Sequence, residues 1–355
     1  MRFSLFYEMQ ISDPTPASEQ KLFHDCVEQV TLADELGFDA VWAVEHHGLR
    51  EYAHSSAPEI FLAFVAARTK RIQIGHGVTL LPGRYNHPIR VAERIAALDI
   101  LSRGRVLFGT GKSGTATEQG AFEVDPAQLE AQWLEGLKMI PRMWRDEVFS
   151  WKSAFYDIAP IQVVPKPMQT PHPPVFAACS RPEFAVAAGE LGLGALSLAA
   201  YQEAQLKKCV GDYRAAIARA VPVTEVVTNR FCCNPATLVL RDDAKACRYG
   251  LQGANFFLRA MAQYYQGTRP TGRLRVPRHL PSDAEVQGFQ LVRNSPQSQL
   301  SSVIGDPVAA RESIARFVTA GVDELILVMQ TGTQPHELIM ESLQTLAEDV
   351  IPHFK

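Results

Sequence analysis

The run Asp39-Ala40-Val41-Trp42-Ala43-Val44-Glu45-His46-His47 is an apolar stretch that ends in a carboxylate and two imidazoles. Packing gives no reason for a strand to finish in adjacent histidines. Histidine titrates closest to neutral pH, which suits it to donate or accept a proton. Neighbouring residues on an extended segment point opposite ways, so His46 and His47 do not readily share one metal ion. No H-E-x-x-H or third-ligand pattern accompanies them, and no metal is expected. Acid–base or hydrogen-bonding chemistry is the preferred reading, with histidines held only by structural hydrogen bonds as the bland one.

Three further stretches carry possible chemistry. Gly109-Thr110-Gly111-Lys112-Ser113-Gly114 is glycine-rich, but a Walker A loop needs Gly where Val106 stands. It suits close backbone approach to a ligand, with Lys112 as a point charge for a phosphate, or a plain strand-to-helix turn. Cys179-Ser180-Arg181-Pro182 sits where a strand turns into a helix, and the N–H groups of a helix start attract phosphate. A simple serine cap explains it equally well. Gly75-His76-Gly77-Val78 puts small residues late in a strand, as a bulge or a ligand lying on backbone requires.

The elements that must position these residues alternate. Strands are predicted at Arg2–Tyr7, Asp39–Glu45, Arg71–Leu81, Arg105–Gly111, Pro174–Ser180, Ala195–Ala199, Val226–Cys233 and Glu324–Gln330. Helical patterns fall between them, among them Glu19–Leu36 stopped by Gly37, Pro126–Trp144, Asp242–Ala260 and Asp306–Ala320 stopped by Gly321. A hairpin excursion is expected near residues 148–158. A long loop at 263–302, rich in Gly, Pro and basic residues, is expected to act as a lid. Eight strand-then-helix units point to an α/β closed barrel of TIM type with insertions, and chemistry in such barrels sits at the carboxyl ends of the strands. An open doubly wound sheet competes less well, since no Gly-x-Gly-x-x-Gly follows the first strand.

Bulk properties exclude several classes. A net charge of −3 over 355 residues leaves no basic footprint for nucleic acid. No apolar run reaches the length of about 18 residues that a membrane span needs. The N-terminal apolar run is short for a secretory leader and Glu8 interrupts it, so a cytoplasmic protein is expected. The six cysteines make no C-x-x-C and read as reduced thiols.

In this order, the motifs resemble the bacterial luciferase-like family of flavin-dependent monooxygenases. The matching segments are Glu35-Leu36-Gly37-Phe38-Asp39-Ala40-Val41-Trp42 with Glu45-His46-His47, then Gly75 with Leu80-Leu81-Pro82 and His87-Pro88, and Leu98-Asp99 through Leu101-Ser102-Arg103-Gly104-Arg105 to Phe108-Gly109. Pro165-Lys166-Pro167 and Gly305-Asp306-Pro307 also match. The resemblance implies one luciferase-like TIM-barrel domain over residues 1–355 that binds reduced FMN (FMNH2), or in a sister branch F420, at the carboxyl-end face. It implies a two-component monooxygenase in which a separate NAD(P)H:flavin reductase supplies FMNH2. O2 then gives a flavin C4a-(hydro)peroxide that oxidises a small, apolar organic substrate. The alternatives are an F420-dependent oxidoreductase and a non-catalytic flavin-binding subunit. A homodimer is implied, with 60–65 suited to the contact, although burial in the barrel's own outer layer explains that segment equally well.

By position, His46 matches the family's catalytic histidine, oriented by Glu45 or by Glu118, which falls where the luciferase α subunit has an Asp. Gly77-Val78 matches a non-proline cis peptide that packs on the flavin. Gly111 falls where that subunit has a cysteine near the flavin, Lys112 where it has a phosphate-binding Arg, and Ser180 where it has a phosphate-binding Ser. Cys179 and Arg181 flank that serine. The exchange of Arg for Lys at 112 loses bidentate recognition, and Glu130 stands opposite a second Arg; Arg181 is expected to compensate. Phe6, Met9, Leu198 and Phe231 are expected to form an apolar wall.

Overall fold

A computed structural model describes residues 1–198, 202–265 and 302–355. Its strands are β1 (Arg2–Tyr7), β2 (Ala40–Ala43), β3 (Gln73–Leu80), β4 (Val106–Gly111), β5 (Phe149–Lys152), β6 (Asp157–Ile161), β7 (Val175–Cys179), β8 (Gly194–Leu198), β9 (Phe231–Asn234), β10 (Ala236–Val239), β11 (Ser302–Gly305) and β12 (Glu324–Val328). The helices are α1 (Pro16–Leu36), α2 (Pro58–Arg68), α3 (Pro88–Leu101), α4 (Ala116–Ala121), α5 (Leu129–Arg145), α6 (Pro182–Glu190), α7 (Glu203–Ile217), α8 (Asp243–Tyr265), α9 (Pro307–Ala320) and α10 (His336–Thr345).

Eight parallel strands close a barrel in the order β1-β2-β3-β4-β7-β8-β9-β12, and β12 returns to pair with β1 from Arg2↔Glu324 to Phe6↔Val328. The expected TIM barrel is therefore present, and so is the hairpin, as the antiparallel β5–β6 pair. Gly37 and Gly321 stop α1 and α9 in the left-handed region, at φ 80° and 88°, as their positions predict. Three elements differ from expectation. A short helix, α4, follows β4. A small parallel pair, β10–β11, adds to the sheet between the seventh and eighth barrel strands. Helix α8 runs on to Tyr265, beyond the predicted Ala260. Most of the predicted lid, 266–301, lies outside the described residues.

Strand alternation sorts the core into two layers. One set of strand residues, including Phe3, Leu5, Val41, Phe108 and Cys179, packs outward against the helices. The other set, including Trp42, Leu107, Phe176, Cys232 and Ile326, fills the barrel. Glu324 sits at its base, fully buried. It accepts from Ser4 Oγ (2.7 Å) and Trp42 Nε1 (2.9 Å) and pairs with Arg230 (3.2 Å). That charge is thus compensated, which a buried carboxylate requires.

Candidate active site

The same alternation decides what reaches the mouth of the barrel. On β2, Trp42 and Val44 point inward, and continuing by two places His46. On β1, Ser4 and Phe6 point inward, and continuing by two places Glu8. The two strands pair from Ser4↔Ala40 to Tyr7↔Ala43, a register that sets Glu8 beside Val44, with His46 two residues further along the same inward face. His46 Nε2 lies 3.8 Å from Glu8 Oε2.

Glu45 has the opposite parity and does not orient His46, as it was expected to. Its carboxylate accepts from Leu80 N (2.8 Å) and Asn86 Nδ2 (2.7 Å) and pairs with His47 Nε2 at 3.2 Å. It pins the end of β3 and the second histidine, and acts on His46 only as a nearby charge.

Glu118 does orient His46. The extended Thr115 caps α4, and its hydroxyl accepts from Glu118 N, as the T-x-x-E spacing favours. The Glu118 side chain, fully buried, faces His46 Nδ1 at 2.9 Å and also accepts from His47 N at 3.0 Å. Hydroxyls of Thr115 and Ser113 donate to its other oxygen. Burial would push the Glu118 carboxyl up; His46, Thr115 and His47 N–H outweigh it and hold the carboxyl below its ordinary range. Burial likewise opposes charging His46, but Glu8, Glu118 and Glu45 overcome it and raise the imidazole to about 9. Burial pushes Glu8 up to about 7 even though His46 and the Tyr52 hydroxyl pull it down. Near neutral pH the site therefore holds an imidazolium on a carboxylate, beside a carboxyl close to its own midpoint.

Below His46 the peptide Gly77–Val78 in β3 is cis, as expected. A Cβ at Gly111 would collide with Val78 Cγ2, so the glycine lets β4 and β3 approach and no side chain fits at 111. Phe6, Val78, Leu196 and Leu198 remain half-buried around the mouth, and Ala178 is exposed there. Met9 and Phe231 are fully buried in the outer core and belong to no such wall.

A cationic end lies across the mouth. Lys112 Nζ sits 4.8 Å above the Phe184 ring and Arg181 4.6 Å from it, so both cations gather on one aromatic side chain. Glu130 pairs with Lys112 (3.3 Å) and Glu183 with Arg181 (3.2 Å). Arg181 is the N-cap of α6 without a side-chain cap bond, and Ser180 beside it is exposed. The helix start thus keeps N–H groups for an anion. Cys179 offers only backbone there. Its side chain turns to the helix layer, 1% exposed, and burial pushes its thiol up.

Three residues at His46 escaped the sequence reading. They are Glu8, Tyr52 whose hydroxyl donates to Glu8 Oε1 (2.8 Å), and Tyr265 whose hydroxyl lies 3.5 Å from His46 Nε2. Parity from Phe6 could have found Glu8. Tyr52 and Tyr265 come from a loop and the end of α8, and carry no local pattern.

Residues 1–324 match the profile of the family described as luciferase-like monooxygenase. The chain belongs to that family. Its relatives include limonene 1,2-monooxygenase of Rhodococcus erythropolis, 34% identical over 202 residues, 54% of this chain and 49% of that one. The oxygenase component of the flavin-dependent trigonelline monooxygenase of Acinetobacter baylyi is 24% identical over 100% of this chain and 96% of its own. An F420-dependent glucose-6-phosphate dehydrogenase of Amycolatopsis mediterranei is 31% identical over 50% of this chain and 54% of its own. The chain thus spans about half the length of the Rhodococcus and Amycolatopsis relatives, and about a third of the residues in the matched half are identical. Among solved structures, monooxygenase RslO1 from Streptomyces bottropensis superposes with a TM-score of 0.84 at 26% identity, covering 100% of both chains. The family holds flavin-dependent and F420-dependent oxidoreductases, and this chain is a luciferase-like member with the family's barrel.

Proposed function

We propose that this protein is the oxygenase component of a two-component monooxygenase that takes reduced FMN from a separate NAD(P)H-dependent reductase, uses O2 and oxidises a small organic substrate. The observation that carries this reading is His46, held by Glu118 at 2.9 Å at the mouth above the Gly77–Val78 shelf. The match along the whole chain to a named oxygenase component supports it.

The residues fit the cofactor. Gly77, Val78 and Gly111 give a flat backbone surface for a ring system. Lys112, Ser180, Arg181 and the open start of α6 suit a phosphate, with Cys179 contributing backbone alone. Bound there, reduced FMN supplies the electrons that activate O2. His46 holds a proton at Nε2, the nitrogen that Glu118 leaves free, and donates it as a hydrogen bond to a group that gains negative charge. Glu118 fixes the ring and its charge. Phe6, Val78, Leu196 and Leu198 exclude water from one wall, which favours an apolar substrate.

An F420-dependent oxidoreductase is the second reading, favoured by the Amycolatopsis relative and by Glu130, which draws on the charge of Lys112. Equilibrium titration with FMNH2 and with reduced F420 separates the two. Tight binding of FMNH2 is expected, followed by slower re-oxidation in air-saturated buffer than free FMNH2 shows. Re-oxidation at the free rate, or preference for F420, overturns the first reading.

A further inference from the structure

Glu8 is a costly residue for its place. It is 3% exposed, and only one of its carboxylate oxygens has a partner, the Tyr52 hydroxyl. The other, Oε2, is buried with no hydrogen bond among the described residues. A buried carboxylate lacking a partner is unfavourable, and packing alone would be served by an apolar side chain, or by Gln on Tyr52. What the carboxylate has that Gln lacks is charge, and the nearest opposite charge is His46 Nε2 at 3.8 Å.

His46 is faced from every side by groups that bear on its proton. Glu118 of α4 takes Nδ1, Glu8 at the end of β1 and Tyr265 of α8 address Nε2, Tyr52 stacks obliquely at 5.5 Å between ring centroids, and Glu45 acts from the same segment. Of these carboxylates, Glu118 is tied down by four donors, and Glu45 is held by Leu80 N and Asn86 Nδ2. Glu8 alone keeps an oxygen free.

We propose that Glu8, anchored by Tyr52, is a positioning residue that sets the charge of His46 from its Nε2 side. The inference rests on the catalytic reading of His46 but is tested apart from it. The carboxylate oxygen that Tyr52 does not hold faces Nε2 at 3.8 Å, too far for a hydrogen bond but close enough for its charge to favour the imidazolium.

The test is a histidine NMR titration of the full chain without flavin, with His46 assigned from the signal missing in His46→Gln. Glu8→Gln is expected to lower the His46 midpoint by about one unit, about tenfold in proton affinity. Tyr52→Phe, which leaves the charge but frees its anchor, should move it less in the same direction. Glu8→Asp should recover part of the loss. An unchanged midpoint in Glu8→Gln overturns the proposal. Should that variant not fold, an unchanged midpoint in Glu8→Asp does so, since a shorter arm must weaken the interaction. The outcome is independent of flavin. A shifted midpoint with FMNH2 re-oxidised at the free rate would defeat the oxygenase reading and leave this one standing.

Discussion

At the scale of single residues the site is a contest between burial and charge at His46. Burial alone would keep the imidazole neutral, and three carboxylates reverse that. An imidazole raised from 6.5 to about 9 stabilises the fold fully below pH 6.5 and loses that contribution as pH rises through about 9. Glu8, raised from 4.5 to about 7, behaves with the same sign in a lower window, its contribution full below 4.5 and gone above about 7. Thermal melts of the wild type are therefore expected to fall between pH 7 and 10, by up to about 3 kcal/mol in stability. A flat melting temperature across that window would show that His46 is not charged in the fold. Replacing Glu118 by Gln exchanges a charge-assisted hydrogen bond for a neutral one, a loss of about 1–1.5 kcal/mol. The alkaline limb of the activity profile should then move to lower pH. His46→Ala should remove product formation, with a residual rate at most about a hundredth of wild type, while FMNH2 still binds by fluorescence titration. Loss of binding instead would make His46 a structural ligand of the cofactor.

At the scale of elements, parity explains both what was legible and what was not. The run to His46-His47 identified the strand end, and counting by two from Trp42 selects His46 for the mouth and sends Glu45 to β3. Glu118 was found only through the resemblance, because α4 is 6 residues long and has no apolar periodicity. Its T-x-x-E cap was its one local mark. Gly111 illustrates an element-level constraint. Its added Cβ would meet Val78 of the neighbouring strand, so Gly111→Ala is expected to cost about 1–3 kcal/mol in denaturant unfolding and to disturb the Gly77–Val78 shelf. If stability and FMNH2 affinity both survive that change, β3 and β4 are not held as closely as the structure shows.

At the scale of the whole molecule, the outer face of α2 is the clearest asymmetry. Phe61, Leu62 and Val65 are buried against the barrel, whereas Ile60 and Phe64 are 69% and 52% exposed. The segment 60–65 thus divides between the chain's own core and an apolar surface. We propose that this surface joins two copies. Light scattering should then give twice the 39.3 kDa chain mass, and Ile60→Glu with Phe64→Glu should give monomer with an unchanged circular dichroism spectrum. A wild-type monomer at micromolar concentration would end that proposal.

The order of the eight barrel strands, the left-handed stops at Gly37 and Gly321 and the chemistry-bearing strand ends were all determined by the sequence alone. Each depends on spacing or turn preference within a few residues, so a local pattern suffices to record it. Tertiary structure decided which atoms meet. Glu8 and His46 are 38 positions apart and become neighbours only because β1 and β2 lie side by side as parallel strands of the barrel. Tyr265 reaches His46 from a helix 219 positions later. Cys179 turned its thiol away from the mouth because its strand places alternate residues on opposite faces. The proton affinity of His46 belongs to no motif, since burial and three carboxylates fix it, and those come together only when the barrel closes.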